Sequence, residues 1–118
     1  MRNFKELKVW QKGFEIAIYS FKITSDFPSQ EKFGLIAQIN RCAVSIPSNI
    51  AEGSSRTSDK DYKRFIEISL GSCFELETQL LIGQELKYGN ETLMRHLLNL
   101  LAEEEKMLTA FSKTLANS

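Results

Sequence analysis

The sequence predicts an all-α fold, an up-down-up-down antiparallel four-helix bundle, and three observations predict it. Apolar residues recur every three or four positions through most of the chain, which is the period of a helix. Period-two runs rich in Val, Ile and Thr, the mark of strands, are absent. Two prolines, Pro28 and Pro47, and six glycines punctuate 118 residues, few enough for long elements joined by short turns. A three-helix bundle with its first helix swapped onto a neighbour is the runner-up.

The first helix is expected over about residues 6–25. Leu7, Trp10, Phe14, Ala17 and Phe21 line one face, and Val9, Ile16 and Ile23 form a second stripe. Two stripes imply burial on more than one side. Phe27-Pro28 ends the helix, because the residue before a proline is pushed out of the helical region. The second helix spans about 29–53, with Leu35, Ile39, Cys42, Ile46 and Ile50 in phase. That phase runs straight through Pro47, so a kinked helix is expected there. Gly53 is placed as a left-handed C-terminal residue.

A polar turn, Ser54 to Ser58, leads to the third helix over about 59–88. Ser58 or Asp59 caps it, and Asp61 lies near its positive end. Tyr62, Phe65, Ser69, Cys73, Leu76, Leu80 and Gly83 form its inner stripe, and Gly89 terminates it. Asn90 caps the fourth helix, about 91–115, whose stripe is Met94, Leu97, Leu101, Leu108, Phe111 and Leu115. Gly71 and Gly83 each cost about 1 kcal/mol in a helix relative to alanine, which suggests close approach of neighbours. No repeat or linker interrupts the chain, so residues 1–118 read as a single domain.

Composition narrows the function classes. Fifteen basic side chains balance fifteen acidic ones, so the whole chain is not a polyelectrolyte partner for nucleic acid. No apolar run approaches the roughly 18 residues of a membrane span. Met1 to Lys8 is charged and mixed, without a signal-peptide core. Two cysteines match neither a disulfide framework nor a zinc spacing.

Charge is nevertheless divided unevenly. Residues 1–64 carry eleven basic and seven acidic side chains, and residues 65–118 carry four and eight. The basic excess gathers at Arg56, Lys60, Lys63 and Arg64, the last three sharing a helix face. This cluster is either a solvated helix start or a set of phosphate contacts, each adding to a salt-dependent affinity. Glu103-Glu104-Glu105 reads as an exposed acidic face.

Along the second helix Gln38, Arg41, Ser45, Asn49 and Glu52 step by three and four. They form either its solvent face or a partly buried seam that fixes register. In an antiparallel hairpin Arg41 would meet the neighbourhood of Leu70, between Glu67 and Glu75. Cys42 and Cys73 read as small core residues about one turn apart. The aromatic first helix and the kinked second suggest an interface built from Val9, Trp10, Ile16 and Pro47.

Chemistry is sparse. His96 stands alone and reads as a surface side chain. No Gly-rich phosphate loop, His-Glu-x-x-His or paired Glu-x-x-His motif is present. The expectation is a protein that is not an enzyme, with no catalytic or metal-binding residues, no cofactor and no small-molecule substrate.

The string from Ile36 to Gly53, above all Ser45-Ile-Pro-Ser-Asn-Ile-Ala-Glu-Gly53, is distinctive. With it come Val9-Trp10-Gln11-Lys12, Phe27-Pro28, Glu31 to Leu35, Arg56, Arg64-Phe65, Gly71-Ser72 and Glu75-Leu-Glu77. These residues resemble the four-helix bundle family encoded in intervening sequences of bacterial 23S rRNA genes, also described as ribosomal-protein-like. The resemblance spans Phe4 to about Leu115. It implies a small cytoplasmic bacterial protein, a ring-shaped homopentamer and an RNA or DNA partner. It also reaches the accessory proteins of diversity-generating retroelements, which bind nucleic acid and reverse transcriptase through a basic pentameric barrel. The present chain departs from that branch in being neutral overall. Arg41, Ser45, Asn49 and Glu52 enter as signature residues of structural character. A protein-interaction scaffold without nucleic acid is the alternative function.

Overall fold

In the computed structural model, which describes residues 3–115, a 3-10 turn at Phe4–Glu6 precedes α1, Lys8–Thr24. A second 3-10 turn at Ser29–Glu31 follows Pro28, so α2 begins only at Leu35 and runs to Ser54. The ring of Pro28 and the non-helical backbone at Gly34 (φ −107°, ψ −110°) divide what the periodicity joins into one helix from 29. Pro47 lies inside α2, which continues through it. α3 spans Asp59–Glu85 and α4 Glu91–Thr114.

The caps follow from side-chain chemistry. Ser58 Oγ accepts the Asp61 N–H at 3.1 Å, and Asn90 Oδ1 accepts the Leu93 N–H at 2.9 Å. Each oxygen satisfies an amide that the first helical turn leaves unpaired. α3 stops three residues earlier than its apolar phase suggests. Lys87 and Gly89 both take positive φ, 62° and 79°, and turn the chain into Asn90.

α1 packs on α2, α2 on α3, α3 on α4, and α1 closes the square against α4. The first helix therefore folds back onto its own chain, against the swapped three-helix alternative. The core is aliphatic: Ile16, Ile23, Ile39, Ile46, Ile50, Ile66, Leu76, Leu80, Leu97, Leu101 and Leu108 are fully buried. Burial of such side chains is worth about 1.5–3 kcal/mol each. Tyr62 joins this core edge-on to Phe111, ring centroids 5.4 Å apart.

Two of three glycines behave differently from expectation. Gly53 keeps negative φ inside α2; its missing side chain admits Phe65, whose Cβ would lie 2.7 Å from a Cβ there. Gly71 faces open space and mediates no close approach. Gly83 does, with the Phe27 ring 3.0 Å from where a Cβ would stand.

Candidate functional site

The basic cluster is organised around one aromatic ring. Arg56 follows the end of α2, and its guanidinium lies 4.7 Å from the Phe65 ring centroid. Arg64, beside Phe65 on α3, lies 5.8 Å from the same ring. A cation near an aromatic ring gains from its quadrupole. Arg56 also pairs with Glu52 at 3.6 Å, one turn earlier. Lys60 is exposed and Lys63 half-buried beside them. All four predicted cations thus gather at one end of the bundle.

The predicted seam occupies the wall of a cleft between α2 and α3, about 480 Å³ in volume. Gln38, Arg41, Ser45 and Asn49 line it from α2, and Ile68, Ser72, Glu75 and Gln79 from α3. Ser45 Oγ donates to the Cys42 carbonyl at 2.6 Å, and Asn49 Nδ2 to the Ser45 carbonyl at 2.7 Å. Both bonds stay within α2. The α2–α3 bonds are made instead by Ser69 Oγ to the Ile46 carbonyl (2.9 Å) and by Cys42 Sγ to the Ser72 carbonyl (3.1 Å) and, more distantly, to one oxygen of Glu75 (3.5 Å). These bonds place the facing residues about one turn further along α3 than Leu70 opposite Arg41.

The predicted interface separates into two faces. Ile16 is fully buried, and Val9 and Pro47 nearly so, all within the folded chain. Their stripe is the intramolecular one, because it points at α2 and α4. The other stripe is left outside: Phe14 and Phe21 are each 50% exposed and Ile18 43%. With Trp10, Val44 and Pro47 they line an apolar groove of about 360 Å³ between α1 and α2.

The family of 23S rRNA-intervening sequence proteins matches residues 5–110. The chain belongs to that family. A crystal structure of a protein of unknown function from the S23 ribosomal protein family of Bacteroides thetaiotaomicron is 26% identical, with a TM-score of 0.79. The match covers 89% of this chain and 98% of that one. No curated protein matches.

The family string from Ser45 to Gly53 serves packing at several of its positions. Ile46 and Ile50 fill the core, Gly53 admits Phe65, and Glu52 holds Arg56. The thiols are equally structural. Burial first, and the Glu75 carboxylate second, push Cys42 up to about 12. Burial, then the charges of Glu104 and Glu105, raises Cys73 further still. Protonated thiols are poor nucleophiles and poor ligands. His96 is exposed and meets Tyr19 edge-on at 4.9 Å. Among the described residues no three His, Cys, Asp or Glu side chains gather as a metal site. No helix among them is long and apolar enough to cross a membrane.

Glu104 is the residue that the sequence reading misplaced. Glu103 is exposed and lies 3.7 Å from the Lys12 Nζ, but Glu104 is 0% exposed and Glu105 half-buried. Three consecutive residues spread over about 200° of a helix, so they cannot share one face. Neither Glu104 oxygen has a hydrogen-bond partner. Burial pushes its carboxyl up to about 8 against the pull of Lys12. Glu105 also rises to about 8, through burial first and its contact with Glu77 second. The signal was present: Met94, Leu97, Leu101, Leu108 and Leu115 leave a gap in phase that position 104 fills.

Proposed function

We propose that this family member is a non-enzymatic helical bundle that assembles with copies of itself and associates with nucleic acid as an accessory protein. The observation that carries the reading is the pair of guanidinium groups gathered at Phe65, flanked by Lys60 and Lys63. Such a platform offers charge for phosphates and planar groups for bases. One cluster per chain binds weakly; a ring of identical chains multiplies it.

Assembly is supported by apolar surface on opposite sides of the square. The α1–α2 groove opens on one side, and Phe74, 52% exposed, stands over the α3–α4 groove on the other. Two different complementary faces join head to tail and close into rings. Five copies is the number that the family resemblance implies, giving a mass five times the 13.5 kDa protomer. Two buried free thiols suit a cytoplasmic location, where disulfides are rare.

Solution mass and RNA binding across salt test the proposal. A closed oligomer that loses about 10-fold or more in affinity for a structured RNA between 50 and 200 mM salt is the expected result. Flat or absent binding removes the nucleic-acid half. The apolar α1–α2 groove favours a second reading, a protein-interaction scaffold, which an oligomer without RNA affinity would support.

A further inference from the structure

The α2–α3 cleft has chemistry that packing does not consume. Arg41 and Glu75 both line it, yet no ion pair joins them. Gln79 is 8% exposed, and its Oε1 has no hydrogen-bond partner. A buried amide oxygen left unpaired costs stability, so it gains from any donor that enters. Ser45 and Asn49 are turned back onto their own helix and do not close the cleft. The space, about 480 Å³, falls in the range of pockets for small ligands.

The cleft sets donors beside acceptors. A simple anion entering toward Arg41 meets the Glu75 carboxylate, and a simple cation entering toward Glu75 meets Arg41. A neutral planar edge with acceptors next to donors satisfies both. Among the bases, guanine alone presents O6 and N7 acceptors for an arginine fork beside N1–H and N2–H donors for a carboxylate. Ile68, 46% exposed on the cleft wall, offers apolar surface to a base face.

The position fits the basic cluster. Arg41 lies thirteen residues before Ser54, the last residue of α2, about 20 Å along the helix. A strand whose phosphates rest on Arg56 and Arg64 reaches the cleft by running that distance along the α2–α3 face. We infer that the α2–α3 cleft takes a guanine base of single-stranded nucleic acid, between Arg41 and Glu75. The inference rests on the nucleic-acid reading above.

The experiment compares a uridine nonamer with the same nonamer carrying guanosine or adenosine at its centre, by fluorescence anisotropy at fixed salt. The native chain should prefer the guanosine oligomer by about 10-fold or more, within the range of one bidentate base contact. Glu75→Gln and Arg41→Gln should abolish that preference, the second with a uniform loss for one missing charge. The double variant Lys60→Ala, Lys63→Ala should weaken all three oligomers alike and keep the preference. An NMR titration with GMP and AMP isolates the cleft from the basic cluster: GMP alone should shift residues 38–49 and 68–79. Salt-dependent binding without base preference overturns the inference and leaves the proposed function standing. No binding by any oligomer also overturns the inference, and the structured-RNA titration then decides the proposed function.

Discussion

Gly13 of α1 faces Glu104 of α4 across the bundle centre: a Cβ on residue 13 would lie 3.0 Å from the Glu104 Oε2. The same Cβ would meet the Ile46 side chain at 3.2 Å and the Pro47 nitrogen at 3.4 Å. A carboxyl group is accommodated in the core because residue 13 leaves room for it.

Gly13→Val should therefore destabilise the fold by about 1–3 kcal/mol, the usual cost of overpacking. Helix propensity acts the other way by a few tenths of a kcal/mol, since glycine is the poorer helix former. The midpoint of urea denaturation, followed by circular dichroism, measures the net effect. An unchanged midpoint would mean that α1 and α4 separate easily at this level.

Stability should fall as pH rises from about 4.5 to about 8. In the unfolded chain Glu104 ionises near its ordinary value, 4.5, while the folded chain keeps it protonated up to about 8. Between those values the unfolded state binds fewer protons, so raising the pH favours unfolding. The groups that face it are Lys12 from α1, which favours its ionised form, and Cys73 from α3; Ile46 and Pro47 approach from α2. Glu104→Gln should flatten part of the slope and add a few kcal/mol at pH 8. Denaturation midpoints at pH 5 and pH 8 give the answer; the rest of the slope belongs to Glu105, whose carboxyl is also raised to about 8.

Leu101→Ala should cost about 2–5 kcal/mol, because its side chain is fully enclosed and would leave a cavity. Phe14→Ser, at a half-exposed position, should change protomer stability by under about 0.5 kcal/mol. The same substitution should lower the mass seen by light scattering, since the α1–α2 groove loses one of its two exposed phenyl rings. A mass unchanged by Phe14→Ser would separate that groove from assembly.

Both thiols should resist a disulfide reagent at pH 8 in the native chain and react within minutes in denaturant. Cys42 is held up to about 12, and Cys73 is enclosed entirely. Rapid modification without denaturant would show that α2 and α3 open locally.

The four helices were legible because each carries a long apolar stripe, and Ser58 and Asn90 each carry an oxygen that accepts an amide of the turn that follows. The start of α2 was not: Leu35 continues a phase that reaches back past Gly34, and periodicity does not register the backbone turn there. The four cations at the α2–α3 turn were legible as a group. Their arrangement on Phe65 was not, since it depends on how two helices approach at Gly53.

By itself the sequence determined how many helices form, where the last two begin and which family they resemble, since these depend on neighbours three or four residues apart. The tertiary structure alone decided which of the two stripes on α1 is buried, that Glu104 lies inside, and that Arg41 and Glu75 share a cleft without pairing. Periodicity assigns residues to faces of a helix. Which face is covered depends on the neighbour packed against it, and that neighbour is distant in the chain.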